Sequence, residues 1–116
     1  MMNVQDIDEN SFAEVLAKNK MVLVDFWAAW CGPCRNFALT YNVVAEQLPE
    51  IKFTKVNIDE NHKLATEFNI RSIPHLMIFR GQEVVYSQPG ALNTKQLIDL
   101  IKKTQLLDSE SGEIKN

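Results

Sequence analysis

The 116-residue sequence predicts a single α/β domain with a central mixed β-sheet and helices on both of its faces. Three observations carry that expectation. Apolar runs of strand character alternate with stretches of helical spacing. The last two strand-like runs are joined by a tight turn, so part of the sheet is antiparallel. No repeat and no Pro-, Gly- or Ser-rich linker interrupts the order, and 46% hydrophobic residues supply one core without staples.

Taken in order, the elements read as follows. Ser11-Phe12-Ala13-Glu14 has the spacing of a capping box, and Phe12, Val15 and Leu16 then share one face of a first helix. Met21 to Trp27 is rich in Val, Leu and aromatic residues and reads as a strand buried on both faces. From Cys34 a helical stripe runs through Phe37, Ala38, Tyr41, Val44, Ala45 and Leu48, ending before Pro49. Ile51 to Ile58 reads as a second buried strand. Asn61 is placed to cap a short helix carrying Leu64, Ala65 and Phe68. His75 to Phe79 and Glu83 to Tyr86 are strands joined by Arg80-Gly81-Gln82, with glycine where positive φ is needed. Asn93 or Thr94 caps a last helix with Leu97, Ile98 and Ile101. The domain is expected over residues 1–107, followed by a polar, frayed tail over 108–116.

Composition narrows the function classes. The formal net charge is -3 and no Lys/Arg block stands out, which disfavours nucleic acid as a partner. The longest apolar stretch, Met21 to Trp30, is broken by Asp25 and is too short to span a bilayer. The opening MMNVQDIDEN has neither a basic segment nor an apolar one, so no signal peptide and a cytoplasmic location are expected. Cysteine pairs in that compartment are more often catalytic or metal-binding than structural.

The only two cysteines are Cys31 and Cys34, separated by two residues. Zinc needs four ligands, and His62 and His75 lack the spacing to complete a set. Haem attachment calls for His directly after the second cysteine, where Arg35 stands. A structural disulfide closing four residues contributes only about 2 kcal/mol, against about 3 for fifteen. A redox pair is the reading that best fits the placement. Cys31 falls at the first turn of the second helix, where free N–H groups and the helix dipole favour a thiolate and lower its pKa. Cys34 lies on the core-facing stripe. Cys31 is therefore expected to be accessible and activated, and Cys34 sheltered. Pro33 suits a first helical turn, and Gly32 lets another chain approach closely. Asp25 sits inside the apolar run on the face of Leu23 and Trp27, where burial raises its pKa; a solvated carboxylate at the strand end is the alternative.

Trp30-Cys31-Gly32-Pro33-Cys34, preceded by Val24-Asp25-Phe26-Trp27-Ala28-Ala29, resembles the active-site segment of the thioredoxin family. The likeness continues through Lys55-Val56-Asn57-Ile58-Asp59, Ile70-Arg71-Ser72-Ile73-Pro74 and Gly90-Ala91, and covers about residues 4 to 104. It implies a thioredoxin-like fold and a general protein dithiol–disulfide oxidoreductase, an electron carrier of cell redox homeostasis. It implies no bound cofactor or metal, an NADPH-dependent thioredoxin reductase as recycling partner, disulfide-containing client proteins as substrates, and a monomer. It assigns the nucleophile to Cys31, the resolving thiol to Cys34, proton acceptance to Asp25 and modulation of Asp25 to Lys55. Gly32 and Pro33 tune the redox potential. Trp30, Ile73, Gly90 and Ala91 border the substrate groove with Pro74, which the likeness makes cis. Trp27 packs beneath the motif. For such sites the nucleophile's pKa is about 7 instead of about 8.5, which raises the thiolate fraction at pH 7 from about 3% to about half.

Three departures stand out. His75 follows Pro74 where Thr is usual, and is either a bystander or a tuner of Cys31 or of substrate choice. Leu39 stands where many members carry a helix-kinking proline, so a straighter helix is expected. Gly81-Gln82 replaces the common Asn-Gly turn. The competing functions are a disulfide oxidant or isomerase of the same fold, disfavoured by the Gly-Pro dipeptide, and a non-catalytic binding subunit.

Overall fold

Strand β2 (Met21–Trp27) organises the molecule because it is buried along almost its whole length. The computed structural model describes residues 3–106. Their elements are β1 (Val4–Asp6), α1 (Phe12–Lys18), β2, α2 (Gly32–Gln47), β3 (Lys52–Asn57), α3 (His62–Glu67), β4 (His75–Arg80), β5 (Glu83–Pro89) and α4 (Thr94–Gln105). The sheet order is β1-β3-β2-β4-β5. β3 pairs in parallel with β1 on one side and β2 on the other, and β4 and β5 join antiparallel. The mixed sheet is the one expected.

Alternation along β2 splits the core in two. Met21 and Leu23 pack with Phe37, Tyr41 and Val44 of α2 and with Leu97 and Ile101 of α4. Val22, Val24 and Phe26 pack with Phe12 and Val15 of α1 and Leu64 of α3 on the opposite face. A central strand with helices on both sides is apolar on both faces, which explains the run that Asp25 alone interrupts. Each fully buried side chain of this kind contributes about 1.5–3 kcal/mol.

Two expected caps are not formed. Ser11 makes no side-chain cap bond to α1. The carboxylate of Asp8 instead accepts from the backbone N–H groups of Asn10 and Ser11, and the Asp8 carbonyl accepts from Phe12 N–H at 3.0 Å. The Ser11 hydroxyl in turn accepts from the Asp8 backbone N–H at 3.1 Å and so turns away from the helix. Asn61 likewise does not cap α3. Its amide bridges two loops, accepting from Glu9 N–H at 3.0 Å and donating to the Asn57 carbonyl at 3.0 Å. The Asn93 cap of α4 is formed, with Gln96 completing a capping box. β1 was not foreseen: three residues are too few for a periodicity to show. Gly81 and Gln82 both take positive φ, 59° and 68°, the geometry of a two-residue turn matched to strand twist. The expected boundary at 107 and the tail after it lie outside the described residues.

Candidate active site

The end of β2 and the start of α2 bring the two cysteines together. Cys31 is the N-cap of α2, in extended conformation, and Pro33 occupies the first turn without losing a hydrogen bond. Cys31 and Cys34 are disulfide-bonded, with Cα atoms 5.2 Å apart. The Cys34 backbone N–H donates to Cys31 Sγ at 3.1 Å, so a helix-terminal donor is aimed at one sulfur of the pair. Ala28, Trp27, Ile58 and Ile73 surround the disulfide.

Cys31 is more sheltered than the sequence suggested: 5% of its surface is exposed, against 1% for Cys34. The cause is the loop before β4, which lays the Ile73 carbonyl 3.7 Å from Cys31 Sγ. The Ile73–Pro74 peptide bond is cis. The Pro74 carbonyl accepts from Gly90 N–H at 2.8 Å, with Gly90 at φ 113°, and Ala91 beside it is exposed. Trp30 is 67% exposed and anchored by its indole N–H, which donates to Asp59 Oδ2 at 3.0 Å. Of the expected rim positions, Ile73 packs against the cysteines, and Trp30 adjoins Cys31 in the chain. A Cβ on Gly32 would meet only the tip of Arg35, so no packing within the chain demands glycine there.

Asp25 is 2% exposed, and its Oδ1 has no hydrogen-bond partner in the protein. It shares the sheet face of Leu23, the face covered by α2, which carries Cys34. Burial pushes its pKa up to about 7, with Lys55 pulling the other way. The solvated-carboxylate alternative is excluded by that burial. Tyr41, from α2, donates its hydroxyl to the Thr54 carbonyl at 2.7 Å; burial first and the Asp25 charge second hold its pKa well above the usual value.

The thioredoxin family model matches residues 3–103. The chain belongs to the thioredoxin family. It is 45% identical over 100 residues to "Thioredoxin 1" of Nostoc sp., covering 85% of this chain and 94% of that one. Against "Thioredoxin" of Pyropia yezoensis it is 43% identical over 104 residues, covering 88% and 97%. A solved variant thioredoxin from Halobacterium salinarum superposes with a TM-score of 0.82 at 29% identity, over 97% of this chain and 94% of that one. With its disulfide-forming pair, the chain is a thiol–disulfide oxidoreductase acting on proteins, as thioredoxins are.

The remaining thioredoxin-like positions divide. Lys55 is the register partner of Asp25 but forms no ion pair with it; its ammonium lies 3.9 Å from Asp6 Oδ1 and 5.2 Å from the Trp27 ring centroid. Trp27 is half-buried under the motif, as expected. His75 points to the α1/α3 face, edge-on to Phe26 and 2.8 Å from Ser87 Oγ through Nε2, so the sheet separates its ring from Asp25. Burial lowers its pKa. α2 runs unbroken past Leu39, which is 69% exposed. Asp59, the anchor of Trp30, was missed as a site residue: its partner lies 29 positions away and nothing local signals it. Among the described residues no group of His, Cys, Asp and Glu could hold a metal ion, and no helix is long and apolar enough to cross a membrane.

Proposed function

We propose that this chain reduces disulfides in client proteins, with Cys31 as nucleophile, Cys34 as resolving thiol and Asp25 as proton acceptor. The carrying observation is the disulfide at the N-cap of α2, on the helix that covers a buried carboxylate of pKa about 7. The Cys31 thiolate attacks one client sulfur, forming a mixed disulfide and expelling the other sulfur as thiolate. Cys34 gives its proton to Asp25 and attacks Cys31 Sγ. The Cys31–Cys34 bond forms, the client leaves, and two electrons have passed to it. A base with a pKa near neutral is half ionised at pH 7, the condition under which it both accepts and returns a proton.

Lys55 modulates Asp25, and Gly32 with Pro33 tunes the potential. Clients lie along Trp30, Ile73, Pro74, Gly90 and Ala91. An NADPH-dependent thioredoxin reductase returns two electrons to the disulfide, so NADPH acts only through that partner. The chain works as a monomeric electron carrier in the cytoplasm, in a domain of residues 1–107. The test is insulin reduction coupled to NADPH and thioredoxin reductase. Wild type turns over, Cys31→Ser is inert, and Cys34→Ser accumulates mixed disulfides. Turnover by Cys31→Ser would remove the nucleophile assignment; no turnover by wild type would remove the reductase reading.

A further inference from the structure

Asp6, Lys55 and Asp25 form one cross-strand row. Asp6 of β1 is in register with Lys55 of β3, and Lys55 with Asp25 of β2. Residues in register on neighbouring strands point to the same face, so one ammonium is offered a carboxylate on either side. The two are unlike. The Asp6 side chain is 75% exposed at the sheet edge, whereas Asp25 is 2% exposed with an unpartnered Oδ1. The ammonium is found with the outer one, 3.9 Å from Asp6 Oδ1 and over the Trp27 ring, and forms no ion pair with Asp25.

We infer that Asp6 is a positioning residue of the redox centre: it holds the Lys55 ammonium at the sheet edge and so keeps that charge off Asp25. The functional weight of this rests on the reading of Asp25 as proton acceptor. The charged and titratable groups facing Asp25 are few among the described residues. β3 presents Lys55, with Asp6 of β1 beyond it. α2 presents Tyr41, which burial keeps neutral, and the cysteine pair. β4 presents apolar Leu76 in register, and α4 contributes Leu97 and Ile101 to the same core. Lys55 is therefore the movable charge of the site, and Asp6 is what it is paired with.

Replacing Asp6 by Asn removes the outer carboxylate and releases Lys55 toward the inner one. An opposite charge drawn closer favours the ionised form of Asp25. The proton affinity of Asp25 is then expected to fall roughly threefold, the size of a partly exposed ion pair. Lys55→Met is expected to raise it. In the Lys55→Met background, Asp6→Asn is expected to have no effect, because the charge it steers is gone.

The experiment is an NMR titration of the Asp25 carboxyl carbon in the oxidised full chain, for wild type, both single variants and the double variant. The exposure of the Asp6 side chain lets Asn replace it without disturbing the core, which circular dichroism checks. A threefold fall confined to the Lys55 background supports the inference. No fall, or an equal fall without Lys55, overturns it, since Asp6 then acts by its own field or not at all. The pH profile of mixed-disulfide resolution in the same variants separates the two readings. If Asp25 titrates lower in Asp6→Asn but that profile stays put, Asp6 keeps its hold on Lys55 and Asp25 loses its role in proton transfer.

Discussion

Neutralising Asp25 as Asn isolates the energetic consequence of burying an ionisable group under α2. The carboxyl titrates at about 7 in the folded chain and at its ordinary 3.8 when exposed. The folded-state pKa is raised, so the native state binds more protons than the unfolded state between these values. Stability is therefore full below pH 3.8 and is lost as pH rises towards and through 7. Two-state linkage with these pKa values gives a wild-type penalty of about 2 kcal/mol at pH 5 and about 4 kcal/mol at pH 8. Asp25→Asn does not titrate and escapes the penalty. It is expected to gain on the wild type by about 2–3 kcal/mol between pH 5 and pH 8. A buried amide lacking partners costs about 1–3 kcal/mol, but that offset is the same at every pH. The difference between pH values is consequently the informative quantity. Urea unfolding of the oxidised forms at several pH values measures it. A stability difference that stays flat across this range would refute the argument that Asp25 is a desolvated acid.

Two further expectations follow from particular contacts. Tyr41→Phe removes the 2.7 Å hydrogen bond to the Thr54 carbonyl inside the core, and is expected to cost about 1–2 kcal/mol in urea unfolding; an unchanged midpoint would show that the bond contributes nothing. Asn93→Ala deletes the side chain that accepts from Gln96 N–H at 2.8 Å and is expected to cost about 1 kcal/mol, with hydrogen-exchange protection lost first at the start of α4. Uniform loss of protection across the chain would contradict that local account.

Much of the fold was legible because its signals are local and redundant. Met21–Trp27 is apolar but for Asp25 because helices cover both faces of β2, and a run of that kind names its own position in a sheet. The Asn93–Gln96 box was legible because donor and acceptor lie three residues apart. Ser11 and Asn61 misled for the opposite reason. Their types suit caps, but the Ser11 hydroxyl accepts from Asp8 N–H instead, and the Asn61 amide went to a loop 52 residues away in sequence. The cysteines and Asp25 were legible from their motif and their apolar surroundings. The shelter over Cys31 was not, since it comes from Ile73, 42 residues downstream. Register is what a sequence read without partners lacks, and Asp6, Lys55 and Asp59 all owe their place to register or to long-range contact.

The asymmetry of the disulfide bears on which sulfur leaves and which attacks. Exposure barely distinguishes the pair, at 5% and 1%. The hydrogen bonding does distinguish it. The Cys34 N–H points at Cys31 Sγ, and Cys31 is the N-cap towards which the helix dipole is directed. Negative charge on Cys31 is thus met by a donor already in place, whereas negative charge on Cys34 develops inside the core, on the helix that covers Asp25. A thiolate that rests on Cys31 and forms on Cys34 only as the proton moves to Asp25 makes the second step, not the first, the one that follows Asp25 ionisation. On this account, client capture in a single-turnover reaction follows ionisation of the Cys31 thiol, whereas client release follows ionisation of Asp25.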